Sequence, residues 1–179
     1  MTMTPDFLFT KPQDERVDFD EKDLILLIPY GLSLTNSAER PFLILKDQSG
    51  EVSLPVGINQ LEAGATLTQA GPSGSPVSLH RFSESLLQSL DIKVERCVFV
   101  EIKGVHQYVR IYMTGHPHYQ SLKFRADEVM SLCIHLKIPI FATKSFINRS
   151  KLMAAETTGI AQGIANHPLA QVKSHQYMM

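Results

Sequence analysis

The sequence predicts an α+β fold: a single domain with an antiparallel or mixed sheet and helices packed against it. Three observations carry this. Apolar residues alternate in several short segments. Turn signals join those segments as hairpins. The helical patterns are grouped between the strands and do not alternate with them one for one, as a doubly wound parallel sheet would require. A chain of 179 residues, 44% hydrophobic and 20% charged, has the length and composition of one soluble domain.

The elements follow in order. Residues 1–22 are polar and acidic, carry Pro5 and Pro12, and read as a loose arm. "DLILLIPYGLSL" (23–34) reads as the first strand. "PFLILKD" (41–47) and "EVSLPVGI" (51–58) flank the turn signal "DQSG" and form a hairpin. "NQLEAGATLTQA" (59–70) reads as a short helix, with Asn59 as N-cap and Glu62 three residues on. "GPSGSPVS" (71–78) is a flexible break. It lacks the Gly-Lys-Ser/Thr ending of a phosphate loop.

"LHRFSESLLQSL" (79–90) places Leu79, Phe82, Leu86, Leu87 and Leu90 at helical spacing, with Ser78 as a cap. "IKVERCVFVEI" (92–102) and "HQYVRIYM" (106–113) alternate as strands. "TGHP" turns the chain and "HYQSLKFR" (118–125) returns. A helix over 127–137, a strand over 138–143 and a last helix over roughly 144–163 complete the order β-β-β-α-α-β-β-β-α-β-α. The tail "NHPLAQVKSHQYMM" has no clear period and reads as a mobile tail or a contact arm. No internal repeat is present.

Composition narrows the function classes. Lys and Arg total 17 and Asp and Glu 18, so no net charge marks a nucleic-acid binder, and any such surface comes from local charge separation. The two cysteines, Cys97 and Cys133, lie in apolar runs without CxxC spacing and read as reduced core residues. No targeting segment is visible. "LILLIP" is far too short to span a bilayer, so a cytoplasmic protein without a membrane partner is expected.

The blocks "LPVGINQLEAGATL", "LHRFSESLLQSLDIKVERCVFVEI" and "FRADEVMSLCIHLKIPIFAT", in this order and spacing, resemble the bifunctional nuclease domain family over about residues 23–148. The remainder, 149–179, is expected to hold a C-terminal helix and the tail. The resemblance implies a nuclease acting on DNA and RNA. It carries the family's Glu onto Glu62, its His onto His80 and its Arg onto Arg125. The family's Arg-Pro-Ser-Asp becomes Arg-Ala-Asp-Glu, so its Ser and Asp fall on Asp127 and Glu128. Its Ile-Gly segment has Asn59 in place of Gly.

Glu62, His80, Arg125 and Glu128 are therefore the candidate catalytic residues, each beside a plainer reading. Capping with Asn59 explains the spacing of Glu62 unaided. His80 suits proton transfer near neutral pH, or is a half-buried imidazole bonded to backbone. Asp127 is a good N-cap, and Glu128 is favoured by the positive end of the helix dipole. The pair also admits a Mg²⁺ or other divalent-cation site, because hard cations take carboxylate oxygens. Arg125 would stabilise the transition-state phosphate.

A second candidate surface comes from pairing 106–113 with 118–125, Met113 opposite His118. Tyr112 then faces Tyr119, Tyr108 faces Lys123 and His106 faces Arg125, with Arg110 between. Val109, Ile111, Leu122 and Phe124 point to the core. The expected outer face is aromatic and basic with no acid on it. That suits stacking of bases and neutralisation of phosphates, or a homo-oligomer contact, where Tyr and Arg are enriched. It is equally what the wet side of a sheet carries. His116 and His118 in "GHPH" lack a third ligand nearby and make a weak metal pair. The alternative to a nuclease is a non-catalytic module that binds nucleic acid or protein.

Overall fold

The pairing of strands fixes what the helices can cover. The computed structural model describes residues 19–33, 40–70 and 80–152. A 3-10 turn, Glu21–Asp23, leads into β1 (Leu24–Ser33), β2 (Phe42–Lys46) and β3 (Ser53–Gly57). Helices α1 (Gln60–Ala70) and α2 (Arg81–Ser89) follow, then β4 (Lys93–Lys103), β5 (His106–Thr114) and β6 (Ser121–Arg125). Helix α3 (Ala126–His135), β7 (Ile140–Thr143) and a helix α4 over 144–152 close the described chain. This is the element order read from the sequence. The 71–78 break, the Ser78 cap, most of the N-terminal arm, the end of the last helix and the tail lie outside the described residues.

The seven strands form one mixed sheet, β3-β2-β1-β7-β4-β5-β6. β4 and β7 run parallel and the other pairs run antiparallel. The β2–β3 hairpin closes where the sequence places it. Asp47 Oδ1 accepts from Val52 N at 2.9 Å, and Gly50 takes a positive φ of 78°.

Period-2 alternation sends Leu27, Leu43, Leu45, Leu54, Val56, Cys97, Phe99, Val109 and Ile111 to one face. Ala63, Val129, Met130, Cys133, Phe146 and Ile147 meet them from α1, α3 and α4. On the outer face of β1, Leu26 and Ile28 are exposed. The structure is thus two-layered, with α1, α3 and α4 on one side of the sheet.

Helix α2 is a helix as expected, but it buries no residue. Its apolar stripe, Phe82, Leu86 and Leu90, is exposed, while Ser83, Glu84 and Leu87 turn inward. The reason is polar anchoring. Glu84 Oε2 lies 2.9 Å from His135 Nε2 on α3, and that pairing sets the rotation of α2.

Register corrects one expectation. β5 pairs β6 as Tyr108↔Arg125, Arg110↔Lys123 and Tyr112↔Ser121, a slip of two residues from the reading above. The turn is longer than "TGHP". His116 Nδ1 accepts from His118 N at 3.1 Å and Tyr119 N at 3.0 Å, which draws 115–120 out of the ladder. A slip of two preserves which face each side chain takes. Val109 and Ile111 are buried as expected, and Phe124 packs on the core.

Candidate functional site

The candidate residues gather along one stripe of α3. Residues 127, 131 and 135 recur at i, i+4 and i+8, so Asp127, Ser131 and His135 share a face, each separated by about 6 Å of helix rise. Three neighbouring elements send side chains to this stripe.

At its N-terminal end stands Asp127, 4% exposed. It is not the N-cap expected from the sequence. β6 runs straight into α3, so the N-cap position falls on Arg125, which makes no side-chain capping bond, and Asp127 is already inside the first turn. Its carboxylate is occupied by guanidinium groups. Arg125 Nε donates to Oδ1 at 2.9 Å and Arg125 Nη2 to Oδ2 at 2.6 Å. Arg40 Nη2 also donates to Oδ2. Burial pushes the Asp127 carboxyl up. The Arg125 hydrogen bond and the charges of Arg40, Arg125 and His106 outweigh it and hold the group below the ordinary value of 3.8. Asp127 in turn keeps Arg125 firmly cationic.

Asn59 links this end to the next. Its Oδ1 caps α1 by accepting from Glu62 N at 2.8 Å, and its Nδ2 donates to Asp127 O at 3.0 Å. The capping role of Asn59 therefore holds. The reciprocal leg from Glu62 is absent, because its carboxylate leaves the cap and accepts from Ser131 N on α3 at 2.9 Å.

His80 sits at the N-cap position of α2 without capping it. Its Nε2 lies 2.7 Å from Ser131 Oγ. Glu62 and His80, eighteen positions apart, thus converge on Ser131 from two sides. The His135 ring centroid is 5.7 Å from that of His80. Burial lowers the His80 pKa below 6.5; Glu62 pulls it up and His135 presses it down. The imidazole is neutral at pH 7. Ser131 is fully buried, so it positions His80 and cannot itself meet a polymer.

Glu128 stands apart from the stripe. Its side chain is 53% exposed and lies 3.8 Å from Arg125 Nε. Both oxygens of Asp127 already accept from guanidinium groups, and a divalent cation beside them would face two positive charges. The Asp127–Glu128 pair does not fit such a cation. Among the described residues no group of three or more His, Cys, Asp or Glu is arranged to hold one, "GHPH" included.

The outer sheet face also differs from expectation. β4 lies beside β5 and brings Glu101 opposite Tyr108, where it pairs with Lys123. The face therefore carries an acid, which pairing β5 with β6 alone could not reveal. Arg110 is buried, with Nη1 donating to Ser121 Oγ at 3.0 Å, so it offers little to a phosphate. Tyr108, Tyr112 and Lys123 do share the outer side. Lys123 lies over the Tyr108 ring at 5.5 Å. His106 pairs with Lys103, not Arg125, and its buried Nδ1 has no hydrogen-bond partner among the described residues.

With this geometry in hand, comparison with known proteins decides the family. The model of the bifunctional nuclease domain matches residues 43–155. The chain belongs to that family. Comparison with curated proteins gives no match. The match begins in β2, so the bifunctional nuclease domain as matched includes Glu62, His80, Arg125, Asp127 and Glu128, but not Arg40. Sequence reasoning missed Arg40, Ser131 and His135. For the last two a signal existed: their four-residue spacing on the helix that opens with Asp127. For Arg40 none did, since only the fold brings it to α3.

Proposed function

We propose that this bifunctional nuclease domain hydrolyses phosphodiester bonds of DNA or RNA by acid–base chemistry at the α3 stripe. The observation that supports this reading is the meeting of Glu62 and His80 on Ser131, one helical turn from the Arg125–Asp127 pair. A neutral imidazole can take a proton from water or from a ribose hydroxyl. Ser131 fixes its orientation, and Glu62 favours the imidazolium that forms. Arg125, about one-third exposed and held by Asp127, supplies positive charge for the phosphate. The imidazolium can return the proton to the leaving oxygen, while Glu128, exposed at the open end, lies 3.8 Å from Arg125 and helps orient it. No step is assigned to Mg²⁺, because Asp127 is committed to arginine.

The test is cleavage of labelled single-stranded DNA and RNA by purified protein in EDTA. His80→Ala should lower the rate by about 10²–10⁴-fold. Equal melting temperatures would show that the fold is intact. Since contaminating nuclease is the obvious hazard, a His80→Ala preparation as active as wild type sinks the catalytic claim.

One observation favours a second reading, a non-catalytic oligomerisation module. Phe82 and Leu86 on α2, Leu90 at its C-cap and Leu61 on α1 are exposed apolar side chains at the helical surface. Under that reading, Phe82→Glu dissociates an oligomer in sedimentation experiments. A wild-type chain that sediments as a monomer removes it.

A further inference from the structure

The outer face of the sheet holds a cavity of about 650 Å³ at the end of β4 and β5, lined by none of the α3-stripe residues. Its size is that of a small-ligand site. Arg96, Tyr112, His116, Tyr119, Gln120 and Phe141 line it. Four rings, one guanidinium and one amide make an unusual wall for a surface that only needs to be wet.

The wall is built, not incidental. Gly115, at a φ of 90°, sits so close to Asp91 that a Cβ would lie 1.9 Å from its carbonyl oxygen. This pins the β5–β6 turn against the α2–β4 turn. Met113 N donates to Gln120 O at 2.9 Å and closes the turn. His116 Nδ1 accepts from two backbone N–H groups, which leaves the proton on Nε2, and its ring lies 4.9 Å from that of Tyr119. Arg96 lies 4.6 Å over the Tyr112 ring. Its ionic partner, Glu21, has a side chain 71% exposed, and such a pair is weak enough for a phosphate to replace. The rim acid Glu95 is already engaged by Lys93 at 3.4 Å and by Thr114 at 3.2 Å.

We infer that this cavity takes an unpaired base of single-stranded nucleic acid, with Arg96 on the adjacent phosphate. The inference rests on the proposed nuclease reading for its choice of polymer. Ring faces accept any base, whereas a base stacked and paired in a duplex cannot enter. The position suits a substrate track. From Tyr112 to Tyr108 along β5 is about 13 Å at the rise of a strand, and Tyr108 lies opposite Arg125. A strand anchored in the cavity would run past Lys123 to the N-terminus of α3.

The probe is a short fluorescein-labelled single-stranded DNA with phosphorothioate linkages, which resist cleavage, titrated with the full chain and followed by anisotropy. Tyr119→Ala, in an exposed turn, and Arg96→Gln should each weaken binding about tenfold. A duplex of the same sequence should bind more weakly and be indifferent to Tyr119→Ala. Wild-type affinity in both variants overturns the assignment, as does a wild-type chain that binds no single strand. Failure of the nuclease reading shows elsewhere, as a His80→Ala chain that cleaves like wild type, so the two failures are read in separate assays.

Discussion

Asp127 accepts from two arginines, Arg125 at the end of β6 and Arg40 in the segment before β2, and this decides how the residue behaves. Each guanidinium is about one-third exposed and can return to water, so Asp127→Ala should cost about 2 kcal/mol, the scale of charge-assisted hydrogen bonds, and not the larger penalty of a stranded buried ion. Because the folded carboxyl sits below 3.8, its contribution is complete above about pH 5 and is lost as pH falls through the folded value. Urea midpoints should therefore drop on acidification from about pH 7 to pH 3, and drop less in Asp127→Asn; equal falls in both proteins contradict this. His80 has the opposite logic for its charge. Its folded pKa is depressed below 6.5, so the unfolded chain takes the proton first and stability declines as pH falls below 6.5. NMR titration of the imidazole should move to lower pH in Glu62→Gln, which removes a raising influence. It should move to higher pH in His135→Ala, which removes a lowering one. A titration unmoved by Glu62→Gln would detach Glu62 from the site.

The elements show strain where the chain must turn sharply. Lys137 follows the C-cap of α3 with a φ of 54°, the position at which helices favour glycine. Lys137→Gly should raise stability by about 1 kcal/mol, visible as a higher melting temperature. Gly115→Ala should lower it by roughly 2–4 kcal/mol, since the new Cβ meets the Asp91 carbonyl in a backbone conformation that L side chains avoid. An unchanged melting temperature in Gly115→Ala would mean that the β5–β6 turn is free to move. Strand and helix order was legible because each element carries its own period. The face of each β5 and β6 side chain was legible because parity survives a slip of two residues. The register itself was not, because it depends on His116 bonding back to its own turn. The outward apolar stripe of α2 was equally hidden, since Glu84 chooses its partner on another helix.

At the scale of the whole molecule, one layer of helices closes one face of the sheet, and the site and the core share α3. Asp127, Ser131 and His135 run along one side of that helix, while Met130 and Cys133 enter the core. Arg40 escaped the sequence reading for this reason: its role comes from packing across elements, which no local pattern encodes. The same arrangement makes the cysteines a gauge of the sheet–helix interface. Cys97 on β4 and Cys133 on α3 are free and fully buried. A hydrogen bond with Cys133, together with burial, pushes the Cys97 thiol well above its ordinary range, so little thiolate exists to react. Labelling with a thiol reagent should be slow in native buffer. Both residues should react together, at a rate that rises with urea in step with global unfolding, because neither is reached until α3 leaves the sheet. Rapid labelling of Cys133 alone would instead show that α3 opens locally. The stripe that holds Glu62 and His80 would then be assembled only part of the time, and the proposed activity would track the closed fraction.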